Sequence, residues 1–122
     1  MRIAVTVSED KGKLSPVEPR FGRTSGFLLC DTETGETEFV SNEQNRNALQ
    51  GAGIQSAQNV VAAGAQAVIS GHCGPKAFQV LAAADIPLYL ADASLTAEAA
   101  LAALEAGSLK KAEDADREGH WV

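Results

Sequence analysis

Residues 67–75, which read Ala-Val-Ile-Ser-Gly-His-Cys-Gly-Pro, decide the fold of this chain. The stretch opens with a short β-branched run, which is typical of a buried strand. Gly71 and Gly74 enclose a turn, and Pro75 suits the first position of a helix because its φ is already helical. A strand, a turn and a helix in this order form the repeating unit of α/β proteins.

The N-terminal half of the chain predicts a strand followed by a hairpin. Residues 3–7 form a β-branched run, which indicates a buried strand. Residues 26–31 are largely apolar, residues 36–40 alternate polar and apolar, and residues 32–35 supply turn chemistry between them. The alternation in the second arm is typical of an edge strand with one solvated face.

The C-terminal half predicts helices that alternate with strands. Apolar residues recur at helical spacing from residue 53, and Gly64 occupies the place where glycine commonly ends a helix. A second helix follows Pro75, residues 88–90 supply a strand, and a third helix runs from near Thr96. The predicted order of elements is therefore β-β-β-α-β-α-β-α.

This order predicts a mixed sheet. Helix crossovers join parallel strands, whereas a hairpin joins antiparallel ones. We expect five strands in the order 3-2-1-4-5, with only strand 2 antiparallel and with helices on both faces. This is a three-layer α/β fold of the ribonuclease-H-like type.

The composition fits one domain. The chain has 122 residues, of which 45% are hydrophobic, and a domain of this size can bury a core without disulfides or metals. We expect the domain to cover residues 1–109. Residues 110–122 are charged and lack apolar periodicity, so we expect them to form a flexible tail.

The charge and the cysteine count exclude several classes of protein. The net charge of −6 disfavours binding to nucleic acid and to anionic membranes. No stretch approaches the length of a membrane span, and the apolar run at residues 3–7 is too short for a signal peptide. Two cysteines are too few for a disulfide framework. We therefore expect a cytoplasmic protein.

The predicted topology places ligand chemistry at one edge of the sheet. Open α/β sheets bind ligands beyond the carboxyl ends of their parallel strands, where the strand order reverses. Here that crevice lies between strands 1 and 4. Three loops leave the sheet on this side, at residues 8–23, 41–50 and 71–74, and they hold most of the distinctive polar residues.

The turn at residues 71–74 carries a candidate metal site. It places His72 and Cys73 just before a helix N-terminus, where the helix dipole lowers the pKa of a thiol. A thiolate and an imidazole are suitable ligands for iron or an iron–sulfur species, and Gly71 and Gly74 would let a bulky ligand approach the backbone. The alternative is that Cys73 packs as a small apolar residue and His72 binds local carbonyls.

The segment Pro-Arg-Phe-Gly-Arg at residues 19–23 carries a candidate anion site. Arg20 and Arg23 suit a multivalent anion because guanidinium groups bind carboxylate or phosphate in a planar fork. The alternative is that one arginine pairs with a local carboxylate while Phe21 fills the core. The asparagines Asn42, Asn45 and Asn47 could add hydrogen bonds to a ligand, although asparagine is also common in ordinary loops.

Cys30 has a different predicted place from Cys73. It lies at the end of strand 2, which runs against its neighbours, so its carboxyl end is at the opposite edge of the sheet. The two thiols are therefore not expected to share a metal. Core or edge packing is the expected role of Cys30.

These motifs resemble those of the dinitrogenase iron-molybdenum cofactor biosynthesis family. The similarity runs from residue 1 to about residue 112, and the matching segments are residues 19–23 with 27–31, 53–58, 67–78 and 96–109. The resemblance implies a ribonuclease-H-like fold. It also implies a non-enzymatic carrier of iron-molybdenum cofactor, of its precursor or of an iron–sulfur cluster, with cluster donor and acceptor proteins as partners. His72 and Cys73 match the family's candidate ligands.

Other functions fit parts of the sequence. A small-anion sensor or a protein–protein adaptor would use Arg20 and Arg23 without any metal. A Cys–His hydrolase would use Cys73 and His72, although neighbouring residues in a tight turn usually diverge. A two-metal nuclease would need carboxylates that begin on the first strand, and residues 3–7 contain none.

Overall fold

The computed structural model describes residues 1–43 and 52–112, and within them six strands form one mixed sheet. The strands are β1 (Arg2–Val7), β2 (Gly26–Asp31), β3 (Thr37–Ser41), β4 (Ala67–Ser70), β5 (Leu88–Leu90) and β6 (Lys110–Lys111). Their order is β3-β2-β1-β4-β5-β6. β2 is antiparallel to β1 and β3, whereas β4 is parallel to β1 and β5. The predicted order of the first five strands is therefore confirmed.

The sixth strand, which is antiparallel to β5, corrects the prediction of five strands with only strand 2 antiparallel. Lys110 and Lys111 pair with Leu90 and Tyr89 at the edge of the sheet, and the Ala112 N–H donates to the Leu88 carbonyl at 2.8 Å. Two exposed lysines show no apolar alternation, so their pairing depends on backbone hydrogen bonds that leave no mark in the sequence. Residues 113–122, the rest of the predicted tail, lie outside the described residues.

Helices cover both faces of the sheet, as predicted. α1 (Ala52–Ala62) and α2 (Pro75–Ala83) pack on one face, around a cluster that includes Val60, Val68 and Leu81. α3 (Ala97–Glu105) packs on the other face, around a cluster that includes Val5 and Ile69. Because both faces are covered, β1 and β4 are buried along nearly their whole length and are largely apolar, with the buried hydroxyls of Thr6 and Ser70 near their carboxyl ends. In the described part of the chain, no helix has both the length and the apolarity needed to cross a membrane.

The strand register also fixes the two cysteines at opposite ends of the sheet. Cys30 pairs with Ile3 near the start of β1, whereas Cys73 follows the end of β4. Cys30 is 4% exposed and packs in the cluster under α3. Both observations confirm the expected separation of the two thiols and the packing role of Cys30.

Candidate anion-binding groove at the carboxyl edge of the sheet

Backbone hydrogen bonds join the two loops that carry the candidate site residues. Arg20 and His72 form a parallel bridge. The Phe21 N–H donates to the His72 carbonyl at 3.2 Å, and the His72 N–H donates to the Pro19 carbonyl at 2.8 Å. The arginine segment and the histidine turn, which are about 50 residues apart in sequence, are thus neighbours at one edge of the sheet.

Gly71 has a structural reason to be glycine. A Cβ atom at Gly71 would lie 2.5 Å from both the Cα and the carbonyl oxygen of Pro19. These are backbone atoms, so they cannot turn aside as a flexible side chain would. Gly71 therefore permits the contact between the two loops, which is a different role from the predicted approach of a ligand.

Gly74 has no such constraint. It is the residue before α2, with φ −70° and ψ 169°, a conformation open to any residue. A Cβ atom at Gly74 would meet no heavy atom within 4 Å. Neither backbone strain nor crowding explains glycine at this position, and the space beside it opens into a groove.

The groove has a volume of about 520 Å³ and lies where three segments meet. These segments are a short 3-10 helix at Phe21–Arg23, the start of α1 and the start of α2. Its lining consists of small or apolar residues and one lysine, namely Phe21, Gly22, Gly53, Ile54, Gly74, Pro75, Lys76 and Ala77. A Cβ atom at Gly22 would lie 3.0 Å from Gly53, so two glycines bring the segments together.

The start of α2 is not capped by a side chain. Gly74 has no side chain to accept hydrogen bonds from the first turn of the helix. By contrast, the Thr96 side chain at the start of α3 accepts a hydrogen bond from the Ala99 N–H at 3.2 Å. A helix N-terminus carries a partial positive charge, so the first turn of α2 contributes a positive field to the groove.

Cationic side chains add to this field. Lys76 is exposed and lines the groove. The Arg20 side chain is 62% exposed, and its Nε lies 3.6 Å from Oε2 of Glu18. The interpretation in which one arginine pairs with a local carboxylate is therefore confirmed for Arg20, and Phe21 fills the core with 1% exposure. Arg23 ends the 3-10 helix and is exposed.

His72 and Cys73 point to different surroundings. His72 is exposed beside Arg20, whereas Cys73 is 1% exposed and belongs to the apolar cluster under α1 and α2. In this conformation the thiol packs in the core, so ligation by Cys73 would require the turn to open, and its role as a ligand stays a prediction. Within residues 1–43 and 52–112, no group of three or more His, Cys, Asp or Glu side chains could hold a metal ion.

Asn42 is part of the scaffold, which corrects the hypothesis that it binds a ligand. It is fully buried, and its side-chain amide donates to the Thr24 carbonyl at 3.2 Å and to Ser56 Oγ at 2.9 Å. Its carbonyl oxygen accepts from Asn59 Nδ2 at 3.2 Å. Asn42 thereby ties the end of β3 to α1. Asn45 and Asn47 lie outside the described residues.

Comparison with known proteins decides the family. The family model described as dinitrogenase iron-molybdenum cofactor matches residues 1–107. The chain belongs to this family. The resemblance inferred from the motifs is therefore confirmed. The matched domain spans nearly the whole chain.

Three relatives of this family member are similar to it over nearly their whole length, and two of them have solved structures. The apo form of the orange protein from Desulfovibrio gigas has a TM-score of 0.90 and 37% identity, covering 94% of this chain and 95% of that one. A Thermotoga protein provisionally described as a NifB protein has a TM-score of 0.78 and 31% identity, covering 90% of this chain and 91% of that one. An uncharacterized protein of Methanocaldococcus jannaschii is 34% identical over 116 residues, which are 93% of this chain and 92% of the relative.

Sequence reasoning missed several residues of the groove in this family member. Gly22, Gly53 and Lys76 line it, and none of them was predicted as a site residue. The sequence offered one signal for these residues, which is the position of the glycines. Gly22 follows Phe21 in the arginine segment, and Gly53 stands where the first helical pattern begins. The contact between those two glycines depends on tertiary packing, which a single sequence does not reveal.

Proposed function

We propose that this chain binds an anionic iron–sulfur or iron-molybdenum cluster, or a precursor of one, in the groove at the start of α2. It then carries the cluster between donor and acceptor proteins. The observation that carries the proposal is a groove lined by glycine backbone and Lys76, next to the segment that carries Arg20, in a member of the iron-molybdenum cofactor family. We also propose that the fold is of the ribonuclease-H-like type that the motifs imply.

The local charge supports an anionic ligand. The chain as a whole has a net charge of −6, yet Lys76 and Arg20 lie at this edge of the sheet together with the N-terminus of α2. A cationic patch on an acidic protein concentrates anions at one place while the rest of the surface repels them. Metal–sulfide clusters are commonly anionic, so they suit this patch.

The donor set supports binding of a cluster that is already assembled. Cys73 is buried, and His72 is the exposed candidate donor beside Arg20. Backbone N–H groups, guanidinium and ammonium groups can hold sulfide and oxygen atoms by charge-assisted hydrogen bonds. We therefore propose that the chain holds the cluster as a whole anion, with at most one ligand from His72, and catalyses no reaction.

The names of two relatives also support the proposal that the chain binds a cluster or its precursor. The Desulfovibrio gigas orange protein was solved in its apo form, a term for a protein without its ligand. The name of the Thermotoga relative refers to NifB. The two comparisons cover 94% and 90% of this chain.

An anaerobic titration tests the proposal. A preformed anionic iron–sulfur cluster with its own thiolate ligands is added to the protein, and gel filtration is followed by visible absorbance. We expect stoichiometric co-elution of colour and protein, weakened by His72→Ala and retained by Cys73→Ala. If the cluster elutes apart from the protein at every ratio, the chain is not a cluster carrier. If colour depends on Cys73, direct ligation replaces the whole-anion mode.

The second candidate function is a small-anion sensor or a protein adaptor without any metal. The pairing of Arg20 with Glu18 at 3.6 Å favours it, because an anchored guanidinium recognises oxyanions as well as clusters. A protein that stays colourless in the titration and is stabilised against heat by phosphate or molybdate would have this function. A Cys–His hydrolase gains no support, because the imidazole is exposed and the thiol is buried.

A further inference from the structure

Glu18 is a buried acid on the loop that carries the arginine segment. The residue is 8% exposed, and glutamate is seldom buried at this level unless it is paired. An unpaired buried carboxylate would be costly because it gives up its hydration. We therefore expect the buried Glu18 carboxylate to have hydrogen-bond or ion-pair partners that offset this cost.

The backbone of Glu18 is fixed to the two central strands. Its N–H donates to the Thr6 carbonyl at 2.8 Å, and its carbonyl accepts from Thr6 Oγ1 at 2.7 Å. Ser70 Oγ, at the end of β4, lies 2.8 Å from Thr6 Oγ1 and 3.5 Å from the same carbonyl. Glu18 is thus anchored where β1 and β4 end, at the reversal of strand order.

The carboxylate of Glu18 is directed at Arg20. Oε2 accepts a hydrogen bond from the Arg20 backbone N–H at 3.0 Å and lies 3.6 Å from Arg20 Nε. The Arg20 side chain is nevertheless 62% exposed, and its backbone is bridged to that of His72. The guanidinium group has five N–H donors in a planar fork, and its Nε lies at ion-pair distance from the carboxylate while most of the side chain is exposed to solvent.

We propose that Glu18 is the positioning residue of this site. It holds Arg20 by the Nε edge so that the terminal N–H groups face a bound anion beside His72. The inference rests on the proposed function and narrows the ligand to an anion with at least two adjacent acceptor atoms, which a guanidinium fork contacts in a bidentate manner. Glu18 acts through Arg20 and does not touch the ligand.

The direction in which the anion affinity changes when Glu18 is removed distinguishes a positioning role from simple neutralisation of the Arg20 charge. The negative charge of Glu18 repels an anion, so removal of a carboxylate that only neutralises Arg20 would raise the affinity. Removal of a positioning carboxylate releases the guanidinium to many conformations and lowers the affinity. We expect Glu18→Ala to lower the affinity about tenfold, the scale of one charge-assisted hydrogen bond.

A double-mutant cycle on the full chain tests this expectation. The probes are molybdate and the preformed iron–sulfur cluster, measured against Glu18→Ala, Arg20→Ala and the double variant. We expect Glu18→Ala to have less than about a twofold effect once Arg20 is absent, which is the coupling of two residues that act as one unit. Glu18→Gln, which keeps an acceptor oxygen, should restore most of the affinity.

A matched control comes from the same loop. Glu9 is an exposed carboxylate that pairs with Lys11 at 3.3 Å, so Glu9→Ala removes the same charge without touching Arg20. We expect no change in affinity from this variant. NMR supplies a second measurement, because the Arg20 Nε–H signal, whose nitrogen lies 3.6 Å from the carboxylate, should shift in Glu18→Ala and stay unchanged in Glu9→Ala.

The outcomes separate this inference from the proposed function. If the cluster binds and Glu18→Ala binds it equally well or better, the positioning role is wrong and the carrier function stands. If only molybdate binds, with the expected coupling, the positioning role stands and the cluster function fails. If the wild type binds neither probe, both proposals fail.

Discussion

The two ends of the sheet each have a cavity and a nearby cysteine, but their chemistry is opposite. The groove at the carboxyl edge, of about 520 Å³, has glycine backbone on its wall and Lys76 in its lining. The pocket at the other end, of about 240 Å³, is lined by Cys30, Lys13 and the acids Asp31, Glu98 and Glu105. The comparison teaches that a cysteine near a cavity does not by itself distinguish the end that we propose as the anion site. Positive charge and access to the backbone distinguish the end that suits an anion.

The largest expected difference between the two ends is in the loss of folding stability when a glycine is replaced by alanine. Gly71→Ala places a Cβ atom 2.5 Å from the backbone of Pro19. We expect a loss of about 3 kcal/mol in the free energy of unfolding, since overpacking against fixed atoms costs about 1–3 kcal/mol and occasionally more. Gly35→Ala, at the hairpin turn of the other end, has open space and a φ of +80°, so we expect about 1 kcal/mol. Urea titration measures both, and equal losses would contradict the account of the loop contact.

The next effect concerns the pH dependence of stability at the Cys30 end. Burial raises the pKa of the Cys30 thiol from 9.0 to about 11, with Lys13 opposing the shift. Because the folded state then holds the proton more tightly than the unfolded state, stability is retained below pH 9 and falls between about pH 9 and 11. We expect a loss of about 2 kcal/mol across this range. Cys30→Ala should remove that part of the pH dependence, and an unchanged profile would contradict burial of the thiol.

Charge reversal sharpens the comparison of the two cavities. Lys76→Glu places a carboxylate in the groove, and we expect the affinity for the anionic cluster to fall at least about tenfold, which corresponds to about 1.4 kcal/mol. Lys13→Glu makes the same change at the acidic pocket and should leave the affinity within about twofold, because exposed charges more than about 10 Å apart are largely screened at 0.1 M salt. Equal effects from both variants would show that net charge, and not the groove, controls binding.

The smallest expected effect on stability comes from Gly74→Ser. A serine at this position can accept a hydrogen bond from the first turn of α2, as Thr96 does for α3. We expect stability to rise by a few tenths of a kcal/mol, since serine exceeds glycine as an N-cap by about that amount. We also expect weaker cluster binding, because the side chain would occupy space and a backbone donor in the groove. Thermal unfolding and the anaerobic titration measure the two changes, and unchanged binding would remove Gly74 from the site.

The sequence carried enough information to predict the arrangement of the first five strands. Alternating strand and helix patterns, with one hairpin, leave few ways to connect a mixed sheet because crossovers are right-handed and short. The same rules brought Arg20 and His72 to one edge. β6 escaped prediction because the pattern at Lys110 and Lys111 is polar on both faces, and its pairing comes from backbone groups alone.

The details of the candidate site were less predictable because they depend on distances between distant segments. The pattern did not show that Cys73 turns inward while His72 stays outside, since either orientation fits a glycine-flanked turn. The close approach of Gly22 to Gly53, where a Cβ atom on Gly22 would lie 3.0 Å from the Gly53 backbone, is a tertiary contact that neither side chain reveals in the sequence. The polar residues that tie the loops to the strands, such as Thr6 and Asn42, gave no sign of this role before the fold was known.

An NMR titration of the isotope-labelled full chain with the preformed cluster tests the central claim most directly. The claim predicts that amide signals of Phe21, Gly22, Gly53, Lys76 and Ala77 shift or broaden first, while those of Cys30, Thr37 and Leu101 at the other end stay unchanged. Changes centred on the Cys30 pocket, or spread evenly over the surface, would contradict it.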